Sequence, residues 1–108
     1  MGAVITVLFS PGERSLQDFD RLLNDLGALI RKVRPDGMES MSIQRTDRGA
    51  VIVQARWRSA EELRAFRASP EGSSIFRAMS DCCPEPPQTH VATEDTALSY
   101  YRDEPPKR

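Results

Sequence analysis

The stretch from Ala50 to Met79 constrains the fold more than any other part of the chain. Its first part, Ala50 to Arg58, alternates apolar and polar residues, which predicts a strand with one buried face made of Val51, Val53, Ala55 and Trp57. A helical pattern follows and is interrupted at Ser69-Pro70-Glu71-Gly72. A proline cannot continue the hydrogen-bond ladder of a helix, but it can open a new helix. The stretch therefore predicts a strand, a turn and a helix in two pieces.

Three further segments have the pattern of strands. Residues 3–9 form an apolar run rich in β-branched side chains, which predicts a strand buried on both faces. Residues 38–46 alternate loosely, and a tight turn at residues 47–49 would join them to the central strand as a hairpin. Residues 89–93 are a candidate last strand, and residues 97–101 either continue it or form a separate edge strand.

The first helix is predicted from Leu16 to Val33, where apolar residues recur at spacings of three and four. The sequence Pro35-Asp36-Gly37 would end it. Ser15 is expected to cap its start, with Asp18 completing a capping box. Ser59 is expected to cap the first piece of the broken helix.

The predicted order of elements, β-α-β-β-α-β, is typical of the ferredoxin-like α+β fold. Two split crossovers give a four-stranded antiparallel sheet with both helices on one face. We expect one such domain over residues 1–102 and a polar, proline-rich tail at residues 103–108 that frays. The other face of the sheet is predicted to mix apolar and polar residues, which suits a homodimer formed by two sheets packed face to face. The residues expected there are Val4, Leu8, Ile52, Gln54 and Arg56.

Composition argues against several classes of protein. Lys and Arg total 15 and Asp and Glu total 16, so the formal charge of -1 does not provide the basic face that nucleic-acid binding needs. No apolar run is long enough for a membrane span, and the start lacks the pattern of a secretory signal, so we expect a cytoplasmic protein. Adjacent cysteines, Cys82 and Cys83, are expected to be reduced thiols. With one histidine, His90, no metal site is expected.

Two short motifs follow the strand that ends in Trp57, and the strand and the motifs together form a recognisable pattern. The motifs are Ser59-Ala60-Glu61-Glu62-Leu63 and Ser69-Pro70-Glu71-Gly72. Together these residues resemble the antibiotic biosynthesis monooxygenase family of the dimeric α+β barrel superfamily, and the resemblance covers nearly the whole chain. It implies a homodimer that uses no cofactor. In the family's cofactor-free oxygenases a small aromatic substrate, such as an anthrone, lies between helices and sheet, is deprotonated, and passes an electron to oxygen.

The resemblance implies a pocket beside Trp57, whose indole would stack on a flat substrate and donate its N–H to a carbonyl. His90 is the natural general base, because it alone has an ordinary pKa near neutrality. Tyr100 is expected to donate to the developing oxyanion. The expected substrate contacts are Val53, Phe66, Phe76, Met79, Phe19, Leu23 and Tyr101.

Each of these residues also has a plainer interpretation. Trp57 and the helical Phe, Leu and Met residues fit ordinary core packing. His90 fits the surface or an interface, and the two tyrosines fit packing or interface positions. Arg56 and Arg58 could neutralise an enolate or bind a carboxylate, but they also suit a solvated surface or a dimer interface. Weaker candidates on the second strand are Ser42 and Gln44.

Val53 departs from the family pattern, because the family's oxygenases carry an Asn there, four residues before the Trp. A valine can neither polarise a carbonyl nor hold oxygen by a hydrogen bond. We predict first a cofactor-independent monooxygenase acting on an aromatic polyketide or a phenol. A polyketide cyclase on the same scaffold, which Val53 favours, and a non-catalytic ligand-binding or structural dimer are the alternatives. Haem degradation ranks below these, because His90 is the sole histidine available as an axial ligand.

Overall fold

The computed structural model describes residues 2–93, which form four strands and three helices. The strands are β1 (Ala3–Phe9), β2 (Met38–Arg45), β3 (Val51–Trp57) and β4 (Gln88–Thr93). The helices are α1 (Leu16–Val33), α2 (Ala60–Ala68) and α3 (Pro70–Asp81). The sheet is antiparallel with the order β2-β3-β1-β4, which confirms the ferredoxin-like prediction. None of these helices, within the described range, is long and apolar enough to cross a bilayer. Residues 97–101 and 103–108 lie outside the described part of the chain.

The two central strands, β1 and β3, place alternate residues on opposite faces of the sheet. Their register pairs Ile5 with Ala55 and Thr6 with Gln54. On the helix side the residues of both strands are all buried, namely Ala3, Ile5, Val7, Phe9, Val51, Val53, Ala55 and Trp57. The prediction that residues 3–9 are buried on both faces is wrong within a single chain. Every second side chain of β1 is only half-buried, because no described element covers the other face.

The two helix starts that were expected to be capped by serine differ. A 3-10 turn, Glu13–Ser15, leads into α1, and Ser15 has φ −108° and ψ 6° with no capping hydrogen bond from its side chain. An N-cap residue normally has an extended backbone, so the predicted box with Asp18 is absent. Ser59 is extended, and its Oγ accepts from the N–H of Glu62 at 3.2 Å, which confirms the cap of α2.

One serine both closes α2 and opens α3. The Ser69 hydroxyl donates to the carbonyl of Phe66 at 2.6 Å, and its oxygen accepts the N–H of Gly72 at 3.1 Å. Pro70 occupies the first turn of α3, where a missing N–H costs no helical hydrogen bond. A Cβ added to the buried Gly72 would lie 2.2 Å from the Phe66 carbonyl oxygen. The predicted break is therefore confirmed, and the junction requires glycine at this position.

Candidate functional site

A cavity of about 300 Å³ lies between the helices and the buried face of the sheet. This volume is at the lower end of the range for small-molecule sites, roughly 300–1,000 Å³. Strands β1, β2 and β3 supply one wall and the three helices supply the other. The lining residues are Ile5, Val7, Phe9, Leu26, Ile30, Met38, Met41, Val53, Ala55, Trp57, Leu63, Phe66, Arg67, Gly72, Ser73, Ile75, Phe76, Arg77 and Met79. Nearly all of them are apolar, so the cavity suits an apolar ligand.

Trp57 lines this cavity at the end of β3 and is 1% exposed. Its ring centre lies 5.7 Å from that of Phe66, with the planes tilted by 35°. The indole Nε1 is buried, and no group in residues 2–93 accepts its hydrogen bond. A buried donor without an acceptor costs about 1–3 kcal/mol, so a ligand oxygen that reached this N–H would recover that energy. Trp57 is therefore both a flat apolar wall and an unsatisfied donor.

The predicted substrate contacts divide into three groups. Four of them line the cavity, namely Val53, Phe66, Phe76 and Met79. Phe19 does not, because it is fully buried with its ring centre 5.3 Å from that of Phe9, and Leu23 packs against the core from α1. Helical periodicity identifies the apolar face of α1 but not the part of that face above the cavity. Tyr100 and Tyr101 lie outside the described residues.

His90 lies on the opposite side of the sheet from the cavity. The register of β4 places His90 beside Thr6, and Thr6 stands beside Gln54, whose Nε2 donates to the Thr6 hydroxyl at 3.2 Å. Cross-strand partners share a face, and Ile5 and Val7, the neighbours of Thr6, line the cavity. His90 is exposed on the other face. The expected placement of His90 as the base of the pocket is thus corrected: within one chain the sheet separates it from any ligand in the cavity.

Three polar residues at the rim of the cavity were not identified from the sequence. Arg67 is in the last turn of α2, and Ser73 and Arg77 lie one turn apart on α3. The Cζ atom of Arg67 is 5.3 Å from the centre of the Phe76 ring, a cation–π contact. Within residues 2–93, neither arginine forms an ion pair. Their sequence pattern is that of any charged helix surface, because the rim position depends on how α3 packs beside α2.

The arginines that were considered as anion-binding residues have other partners. Arg58 donates through Nε to the Glu62 carboxylate at 3.1 Å and through a second nitrogen to its other oxygen. This hydrogen-bonded pair raises the pKa of Arg58 and lowers the pKa of Glu62. The Arg56 Nε atom lies 3.7 Å from the Glu39 carboxylate. Neither arginine lines the cavity, and Ser42 and Gln44 are exposed and pair with the residues of β3 that face away from it.

Neither the two cysteines nor a cluster of metal-binding side chains forms a second reactive site in the described residues. Cys82 and Cys83 are free thiols, and burial raises the pKa of both, which lowers the thiolate fraction at neutral pH. In residues 2–93 no three side chains of His, Cys, Asp or Glu come together as a metal ion would require. The described part of the chain therefore provides no donor set on which a metal could be placed.

No protein-family model matches the sequence, and no curated protein matches it. Solved structures do match. A monooxygenase from the gene ActVA-Orf6 of Streptomyces coelicolor, in complex with the ligand nanaomycin D, is 25% identical, with a TM-score of 0.71 over 87% of this chain and 88% of that chain. SnoaB, a cofactor-independent oxygenase from Streptomyces nogalater, is 14% identical, with a TM-score of 0.73 over 90% and 96% of the two chains.

A third neighbour carries the family name itself. It is a candidate antibiotic biosynthesis monooxygenase from Caulobacter crescentus CB15, 16% identical, with a TM-score of 0.74 over 86% of this chain and 91% of that chain. At these identities the likeness is one of fold. The resemblance predicted from the residues around Trp57 is confirmed at that level: the structural neighbours of this chain include monooxygenases of the antibiotic biosynthesis family, and the chain shares their α+β fold over most of its length.

Proposed function

We propose that the chain is a cofactor-independent monooxygenase of an electron-rich aromatic substrate, a phenol or anthrone of polyketide origin, in natural-product biosynthesis. The observation that carries the proposal is the buried, unsatisfied Nε1 of Trp57 beside an apolar cavity. A flat aromatic ring with one acceptor oxygen matches both properties. The neighbours support the choice, because SnoaB is a cofactor-independent oxygenase and the ActVA-Orf6 monooxygenase binds nanaomycin D.

In the proposed reaction the substrate ring lies against Trp57 and Phe66, and its carbonyl or phenolic oxygen accepts the indole N–H. Loss of a proton from the substrate CH₂ leaves an enolate, whose negative oxygen the indole N–H stabilises. The carbanion passes an electron to O₂, and the two radicals combine. The O–O bond and the second C–H bond then break, so that one oxygen atom becomes the new carbonyl and the other leaves as water. No external reductant is consumed.

The removal of the proton depends on the acidity of the substrate. Within residues 2–93 the cavity wall contains no Asp, Glu, His or Lys, and its charged side chains are Arg67 and Arg77. Nearby positive charge favours the anionic form of an acid and lowers its pKa. Solvent at the rim therefore removes the proton in the proposed reaction, and these two cations favour the resulting anion.

The test follows oxygen uptake and quinone absorbance when purified protein is mixed with anthrone, without added metal or flavin. We expect one O₂ consumed per quinone formed. Trp57→Phe keeps an aromatic ring but removes the donor, and should lower kcat/KM by about tenfold or more, the loss of a hydrogen bond to a charged group. A matching thermal midpoint would show that the variant is folded. Equal kcat/KM in the variant and the wild type would contradict the role of Trp57.

A cyclase or a ligand-binding dimer is the second candidate, and Val53 favours it. Val53 lines the cavity where the family's oxygenases carry an Asn, and it offers no hydrogen bond. Of the four residues of β3 that face the helices, only Trp57 has a polar side-chain atom. Saturable binding of anthrone, measured by quenching of Trp57 fluorescence, with no oxygen uptake would select this candidate over the monooxygenase.

We also propose that two copies of the chain pack through the uncovered face of the sheet. On this face Val4, Leu8 and Ile52 are half-buried in one chain, so a partner sheet would complete their burial. Ile52→Arg should convert the dimer into a monomer of 12.1 kDa, because it places an unpaired charge in the interface. Ile43→Arg, at a 40% exposed position on the helix side, is the control. Sedimentation equilibrium measures both, and a monomeric wild type would contradict the proposal.

A further inference from the structure

We infer that the substrate is an aromatic carboxylic acid, whose ring fills the cavity while Arg67 and Arg77 bind its carboxylate at the rim. The inference rests on the proposed function and adds the chemical class of the substrate to it. Two guanidinium groups border an otherwise uncharged cavity within residues 2–93. A ligand that is apolar at one end and anionic at the other matches this arrangement.

Four arginines of the described chain lie within 4.0 Å of an Asp or Glu side chain, namely Arg21, Arg45, Arg56 and Arg58. The arginines that have no such partner in residues 2–93 and do not line the cavity are Arg14, Arg31, Arg34, Arg48 and Arg64. Arg67 and Arg77 have no such partner in residues 2–93, although both stand beside the cavity. Their positive charge is therefore available to a bound anion.

The position of Arg67 is fixed by the wall of the cavity. Its guanidinium lies over the ring of Phe76, and that ring is anchored in turn, with its centre 5.9 Å from the ring centre of Phe9 in the core. Stacking on an aromatic face pre-organises the planar guanidinium, so less entropy is lost when it binds an anion. Arg67 is thus a positioned cation at the rim.

The second helix of the rim adds another positive charge. Ser73 and Arg77 are four residues apart on α3, so they lie on the same side of that helix, and both line the cavity. Guanidinium groups match the planar, two-oxygen geometry of a carboxylate better than a point charge does. The Ser73 hydroxyl donates to the carbonyl of Pro70 at 3.5 Å, so the two guanidinium groups supply the donors that a carboxylate needs.

The test compares anthraquinone-2-carboxylate with its neutral carboxamide by isothermal titration calorimetry at about pH 7, where the acid is ionised. We expect the carboxylate to bind about five- to tenfold more tightly at low salt, the size expected for two solvent-exposed ion pairs. The preference should shrink at about 1 M salt, because exposed charges are screened. In Arg67→Gln/Arg77→Gln the preference for the carboxylate over the carboxamide should fall to less than about twofold.

Arg64→Gln is the matched control, because Arg64 is exposed on the same helix as Arg67 but does not line the cavity. It should keep the full preference for the carboxylate. Equal affinities of the wild type for the carboxylate and the carboxamide would overturn the inference that the substrate is a carboxylic acid. They would still support a cavity that binds aromatic rings. A preference that survives the double substitution, or that is lost equally in Arg64→Gln, would overturn the assignment to Arg67 and Arg77. If neither compound binds, the cavity and the proposed function fail together.

Discussion

Gly72→Ala is expected to lower the free energy of unfolding by about 3 kcal/mol, the upper end of the usual cost of overpacking. The new Cβ would lie 2.2 Å from the carbonyl oxygen of Phe66 and 3.1 Å from the Ser69 Oγ. The carbonyl cannot move freely, because it belongs to the last turn of α2 and accepts hydrogen bonds from both the N–H and the hydroxyl of Ser69. The junction between α2 and α3 would have to open. Urea unfolding with linear extrapolation measures the loss.

Gly27→Ala is the matched control for this substitution. Gly27 is also inside a helix, but its added Cβ would meet only Arg31 nitrogens, the nearer at 3.5 Å, which is an ordinary contact. Alanine is the better helix former, so this variant should gain about 0.5–1 kcal/mol. A loss of unfolding free energy below about 0.5 kcal/mol in Gly72→Ala would show that the junction tolerates a side chain. That result would contradict the close approach of α2 and α3 at this glycine.

Ala55→Leu is expected to abolish the binding of aromatic ligands, with at least about a thirtyfold loss of affinity, while the protein stays folded. Ala55 lies between Val53 and Trp57 on the cavity side of β3, and its methyl group is part of the wall. The larger side chain enters space that a ligand ring would occupy. Because Ala55 borders the cavity, the added atoms have empty space to occupy, and the thermal midpoint of the variant should stay within a few degrees of the wild type, or rise.

Gln54→Leu introduces the same side chain at the neighbouring residue of β3, on the other face of the sheet. It should bind anthraquinone-2-carboxamide with the affinity of the wild type, because the cavity is untouched. Calorimetry on both variants separates the two faces. Wild-type affinity in Ala55→Leu would show that the aromatic ligand binds elsewhere.

Most of the fold was predictable because local patterns and tertiary structure agree. The alternation in β3 fixes its buried face, and Ser69-Pro70 marks the break between helices with a cap and a proline together. The start of α1 was not predictable in detail. Ser15 has the right chemistry for a cap, but the preceding 3-10 turn gives it the wrong backbone conformation. A cap therefore depends on the path of the chain before it, which composition does not show.

The candidate site was predictable where a residue belongs to a central strand and much less so elsewhere. The family resemblance implied that Trp57 and Val53 lie at a pocket, and the period of β3 puts both on its buried face. His90 lies in the edge strand β4 between Thr89 and Val91, which do not reveal its direction; the pairing with Thr6 decides that. Arg67 and Arg77 resemble surface charges until two helices are packed together. The rim of the cavity is therefore a tertiary property, and its residues were missed.

The alternation along β3 has a consequence for how this protein can diversify. Alternate residues of the strand point to opposite faces of the sheet. Those on the cavity side are Val51, Val53, Ala55 and Trp57, and those on the other side are Ile52, Gln54 and Arg56. A point substitution in β3 can therefore change the wall of the cavity or the uncovered face of the sheet separately, since each residue belongs to one surface only. A deletion of one residue would exchange the two sets and carry Gln54 and Arg56 into the core. Sequence changes that keep the fold should therefore substitute residues of β3 and leave its length constant.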